Sequence, residues 1–164
     1  MRRQVDVQHS QWIAAPLLVV RAQFADLDHY IRADVHPKLR FAVLARHSQG
    51  LRFAQEVGLL GIRQRDVFER RIEADGSIVD QAVAGFNCGG SLMFRFQAQT
   101  VAGQAGTLVE ITIRLQLPPL IVGLLRPLLA RQIRREVVLA AQQDKDDIER
   151  RGYPRAVRRA ALAA

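Results

Sequence analysis

The side chains able to do acid–base or metal chemistry are few and unevenly placed. Four histidines occur: His9, His29, His36 and His47. His29 closes the run Asp26-Leu27-Asp28-His29, and His36 stands just before Pro37. Asp144 and Asp147 lie far along the chain, three residues apart, which puts both on one face of a helix. Two histidines and a carboxylate are the donor set of a mononuclear iron or zinc site. The same groups, without metal, suit general acid–base work. Tyr30 lies beside His29 and offers a hydroxyl to a bound carbonyl. Asp66 and Arg70 are a further charged pair, about 13 Å apart if both lie on one strand, too far to meet directly. Cys88 is the single cysteine, so no intramolecular disulfide and no multi-cysteine metal site is available. It has no neighbouring histidine and reads as a small residue in a turn beside Gly89-Gly90.

These residues need elements to hold them. Pro118-Pro119 sets up a helix start, and from about Leu120 to Arg151 apolar residues recur at Val122, Leu125, Leu129, Ile133, Val137 and Ala140. Arg131, Arg134, Arg135 and Gln142 fall on the opposite face. Gly152 and Pro154 end the helix. Near the other end, Leu17, Val20, Phe24, Leu27 and Ile31 form a second helical stripe between Pro16 and Pro37. Asp26 can cap a new helix there, so the stripe reads as two short helices.

Everything else reads as strands. Val5 to Ile13 alternates, and six strands follow Pro37: Leu39–His47, Leu51–Val57, Ile62–Ala74, Ser77–Asn87, Ser91–Val101 and Thr107–Leu117. Asp75-Gly76 reads as a two-residue hairpin turn. In the last two strands one face is apolar (Leu92, Phe94, Phe96; Val109, Ile111, Ile113, Leu115) and the other polar, as in a sheet covered on one side. In Ile62–Ala74, Phe68 shares a face with Asp66 and Arg70. Either those charges are partly buried and mark a site, or a bulge turns them to water.

This order of one strand, two short helices, six antiparallel strands and a long final helix resembles the START-like, helix-grip (SRPBCC) superfamily. That superfamily includes polyketide cyclase/dehydrase-type proteins, the birch-pollen-allergen family and lipid-transfer domains. The likeness spans residues 2–154 and rests on element order. It implies an α+β fold in which a curved antiparallel sheet of about seven strands grips the C-terminal helix, in a single domain over residues 1–154 with a basic tail at 155–164. It implies a cavity between sheet and helix that binds a hydrophobic or aromatic small molecule. Tyr30, His36, His47, Phe53, Asp66, Phe68, Phe94, Phe96, Ile111, Ile113, Leu125 and Leu129 are the ligand-binding candidates. In particular, Phe94, Phe96, Ile111 and Ile113 are expected to face Leu125 and Leu129 across the cavity, and Leu120–Leu125, together with the short helices ending at His36, to gate its mouth. Two alternatives stand beside binding. One is a cyclase/dehydratase-type enzyme with a pocket Asp or His as general acid–base. The other is a lipid carrier docking on membranes through Leu120–Leu129 and nearby arginines. The His29/His36 pair is also similar to the iron site of ring-hydroxylating oxygenases, but six residues intervene here where three or four do there. No metal and no cofactor is therefore expected.

Composition narrows the partners. A chain of 164 residues is long enough to bury roughly 70% of its unfolded surface in one core. The net charge of +8 is carried almost wholly by arginine, clustered only at Arg2-Arg3 and over Arg150–Arg159. No nucleic-acid recognition motif accompanies it, so no nucleic-acid partner is expected. The longest apolar run, Leu117–Leu125, is too short to span a bilayer, and Arg2, Arg3 and Asp6 interrupt any leader-like N-terminus. A cytoplasmic protein is expected.

Overall fold

The computed structural model describes residues 3–59, 61–117 and 119–154. Strand β1 (Arg3–Ile13) leads into helices α1 (Leu17–Ala25) and α2 (Leu27–Ala33). Six strands follow: β2 (Leu39–His47), β3 (Gly50–Leu59), β4 (Ile62–Ile72), β5 (Ile78–Gly85), β6 (Ser91–Val101) and β7 (Gln104–Leu117). Helix α3 (Pro119–Glu149) ends the fold. All strands join one antiparallel sheet in the order β1-β7-β6-β5-β4-β3-β2, so β1 and β2 are its edges. The expected tail at 155–164 lies outside the described residues.

Asp26 divides the first helical stripe. It ends α1 and starts α2, where its Oδ1 accepts the His29 amide at 2.9 Å. That bond satisfies one of the orphan amides of a helix start. Helix α3 lays Leu129, Ile133, Val137, Ala141 and Ile148 against the sheet, spaced three to four residues apart or a multiple of that. They meet Val5, Val7, Ile78, Phe96, Val109 and Ile111 in the larger core. A smaller core under α2 joins Leu27, Tyr30 and Val35 to Phe53, Phe68 and Ala82. The space between the two cores is where the sheet and α3 stand apart.

Two departures from the sequence pattern matter for the site. The β4–β5 connection is longer than the two-residue turn expected from Asp75-Gly76. Asp75 Oδ1 accepts both the amide and the hydroxyl of Ser77, and Gly76 takes a φ of 80°. Ile72 therefore pairs with Ile78, and Arg70 with Asp80. The second departure is a bulge at Leu44, since Val43 pairs with Phe53 but Ala45 with Arg52. The extra residue turns the last part of β2 over.

Candidate functional site

A cavity of about 160 Å³ lies between the concave face of the sheet and α3. Its walls are mostly aromatic and aliphatic: Phe41, Phe53 and Phe68 from β2–β4, Phe94, Ile111 and Ile113 from β6–β7, and Ile133, Val137 and Ala140 from α3. Phe53 and Phe68 stack with ring centroids 5.4 Å apart. A space of this size and lining accepts roughly one aromatic ring before anything moves. Lys38 and Leu139 line it and are also exposed, which places the mouth between the start of β2 and the middle of α3.

One wall is polar. Gln23 of α1 donates through Nε2 to Asp144 Oδ1 and to Asp147 Oδ2, both at 3.1 Å. Asp147 in turn holds His29 Nε2 at 2.7 Å. His36 Nδ1 donates to Gln143 Oε1 at 2.9 Å, and its Nε2 faces Asp144 Oδ1 at 3.3 Å. Tyr30 Oη donates to Gln23 Oε1 at 3.3 Å and borders the same carboxylate. Burial, reinforced by the Asp144 charge, pushes the Tyr30 pKa well above its ordinary value. Burial lowers the pKa of His36, but the facing Asp144 and the bond to Gln143 outweigh it, and the net direction is up. Nearer the sheet, Arg70 grips both oxygens of Asp80 at 2.7 Å and donates to the Phe24 carbonyl at 2.9 Å. A guanidinium 5% exposed cannot shed its charge, so its burial requires such a partner.

Asp66 stands at the far end. Its Oδ1 accepts the Asn87 amide at 2.7 Å and so ties the β5–β6 turn to β4. Burial raises its pKa, only partly offset by the amides of Asn87 and Phe86. Of the two alternatives for β4, the bulge is not there but on its neighbour: Val67 pairs with Ala84 and Phe68 with Ala82, leaving Val83 as the extra residue. Strand β4 keeps its phase, and Asp66, Phe68 and Arg70 all point inward.

Of the sequence candidates, Tyr30, His36, Phe53, Asp66, Phe68, Phe94, Ile111 and Ile113 line the cavity. Four do not. His47 is carried to the outer face by the bulge at Leu44; its side chain is 53% exposed and lies 4.0 Å from Glu69. Phe96 packs edge-on against Phe24 in the larger core. Leu129 is buried in that core, and Leu125 is 38% exposed. Among the described residues, those of α3 that line the cavity begin at Ile133, one turn beyond Leu129. The side chains of 119–124 lie outside the described residues. Asp80, Asn87 and Gln143 line the cavity without a signal of their own in the sequence, and Gln23 supports Tyr30 and Asp144 from behind. Gln23 falls on the apolar stripe of α1, between Val20 and Leu27, and a glutamine there signals a buried polar partner. His29, Asp147, His36 and Asp144 do come together, but as two histidine–carboxylate pairs. Among the described residues no group of three or more His, Cys, Asp and Glu side chains is arranged to hold a metal ion. Cys88 is half-buried in the β5–β6 turn, its Sγ 3.4 Å from the Val83 carbonyl.

No family model matches the sequence, and no curated protein matches it. Solved structures do. A protein from Thermus thermophilus superposes with a TM-score of 0.74 at 16% identity, over 88% of this chain and 97% of that one. The Zhui aromatase/cyclase from a Streptomyces species gives 0.66 at 17% identity, over 92% and 99%. A START superfamily protein from Mycobacterium smegmatis gives 0.69 at 15% identity, over 87% and 98%. The chain has the START-like helix-grip fold.

Proposed function

We propose that residues 1–154 act as one ligand-binding domain that takes up a hydrophobic or aromatic small molecule between the sheet and α3. The observation that carries this reading is the cavity, walled by phenylalanines and aliphatic side chains and opening beside Lys38 and Leu139. Affinity would come mainly from buried apolar area, at about 25 cal/mol per Å². The polar wall would orient the ligand rather than react with it. Both ring nitrogens of His36 are engaged, and Arg70 is held by Asp80 and Phe24. Native mass spectrometry of gently purified protein tests the reading: a retained small molecule, lost on denaturation, supports it. Protein that retains nothing and takes up no apolar dye contradicts it.

A cyclase/dehydratase-type enzyme is the second reading. It draws on Asp66, a cavity carboxyl whose pKa burial raises toward the working range of a general acid–base. The aromatase/cyclase among the structural neighbours has the same fold. Turnover of an aromatic polyketide-like substrate that Asp66→Asn abolishes would favour it. A lipid carrier is a third reading, favoured by Leu125 and Leu128 standing exposed beside Arg126 and Arg131 on α3. Co-sedimentation with anionic liposomes tests it. No helix among the described residues is long and apolar enough to cross a membrane.

A further inference from the structure

We infer that the ligand is an amphipathic anion, an apolar body carrying a carboxylate, sulfonate or phosphate, and that a groove at the cavity mouth holds its charge. The inference rests on the cavity being a ligand site and adds the chemical class of what enters it. A groove of about 360 Å³ adjoins the mouth and shares Lys38, Val57 and Glu136 with the cavity wall. Three cations line it, Lys38, Arg40 and Arg63, against two acids, Glu56 and Glu136. Each acid is already engaged: Glu136 Oε1 lies 3.4 Å from Lys38 Nζ, and Glu56 Oε2 lies 3.8 Å from Arg63 Nη1. Arg40 forms no ion pair among the described residues. Both existing pairs are loose and solvent-exposed, the kind that contributes little and rearranges readily. Gly58 adds no side chain to the groove, so its floor stays open.

The cavity interior offers an anion no comparable place. Its two inner basic side chains are committed, Arg70 to Asp80 and His36 to Asp144 and Gln143. A charge buried there would sit near Asp66, Asp80 and Asp144 and be repelled. The apolar body therefore fits inside and the anionic group outside, on Arg40 with Lys38 and Arg63.

Two dyes of one skeleton test this, N-phenyl-1-naphthylamine, which is neutral, and 1-anilinonaphthalene-8-sulfonate, which is anionic. Both should brighten on binding, and each should displace the other. The double variant Arg40→Gln/Arg63→Gln, changed only at exposed positions, should bind the sulfonate about fivefold or more weakly and the neutral dye within about twofold of the parent. Raising salt from about 20 to 500 mM should weaken the sulfonate alone. Equal effects on both dyes, or no effect on either, would overturn the inference while leaving the cavity reading intact. So would independent binding without displacement. If neither dye binds the parent protein, the cavity reading fails and the inference falls with it.

Discussion

His36 Nε2 lies 3.3 Å from Asp144 Oδ1, and both side chains are 5% exposed. Because Gln143 Oε1 can only accept, His36 Nδ1 carries a proton, and a second proton on Nε2 makes the ring an imidazolium facing a carboxylate. With Arg70–Asp80 it is one of two buried acid–base pairs in the wall of a mostly apolar cavity.

The stability of this pair depends on pH. The folded pKa of His36 lies above its unfolded value, so the gain is fully present below the unfolded pKa, about 6.5, and is lost as pH rises through the folded pKa. His36→Gln should therefore cost most in acid. Urea unfolding at about pH 5.5 should show a deficit of about 1.5–3 kcal/mol relative to the parent, shrinking by about pH 9. A deficit that grows with pH would mean that His36 is neutral when folded.

Arg70 and Asp80 give a second expectation. Asp80→Ala leaves a buried guanidinium with only the Phe24 carbonyl, and should cost about 3–5 kcal/mol in urea unfolding. Replacing both, Arg70→Met with Asp80→Leu, should recover most of that loss, since an apolar pair carries no unpaired charge. If Asp80→Ala alone costs under about 1 kcal/mol, the pair is not an isolated buried one.

That pair also shows where sequence reasoning stops. The alternation of Val109, Ile111 and Ile113 is dictated by a one-sided sheet, and these residues lie in the core or the cavity wall. The partner of Arg70 depended on one residue of register. A two-residue turn at Asp75-Gly76 would set Gln81 opposite Arg70, whereas the wider turn sets Asp80 there. Likewise His47 has the right parity to share a face with Phe41, and only the bulge at Leu44 removes it. Turn width leaves hydrophobic periodicity unchanged, and only Ala45, Arg46 and His47 follow the bulge in β2, too few residues to show its shift of phase. The register of α3 along the sheet is equally silent: Leu125 and Ile133 share one apolar stripe in the sequence, yet Ile133 lines the cavity and Leu125 is 38% exposed.

Ala140 lines the cavity from α3, and a larger side chain there should fill it. Ala140→Phe should weaken binding of N-phenyl-1-naphthylamine at least about tenfold, with the far-ultraviolet dichroism unchanged, because the lost volume is about that of one ring. Dye binding at parental strength would place the dye elsewhere on the protein.

The last expectation concerns how the cavity opens. The backbone is helical from Pro119, so Pro127 lies inside α3 rather than in its first turn. It removes the hydrogen bond to the Gly123 carbonyl, at about 3 kcal/mol against an ordinary residue. Residues 125–128 are all exposed, so little packing offsets that loss. The amides around Pro127 should therefore exchange faster than those of Ile133–Ala141. Among the described residues the mouth lies elsewhere. It is bordered by Lys38 and by Glu136 and Leu139, a turn or more further along. A gate at Leu120–Leu125, as the apolar run suggests, would be slowed by added dye. A gate at the Lys38–Glu136 contact would instead show slowing near Lys38 and over residues 136–143, with the Pro127 region unchanged. The exposed pair holding that contact is worth about 1 kcal/mol at most, so opening it is inexpensive. Hydrogen exchange with and without N-phenyl-1-naphthylamine separates the two, and dye protection confined to the turns before Pro127 would move the gate to the helix start.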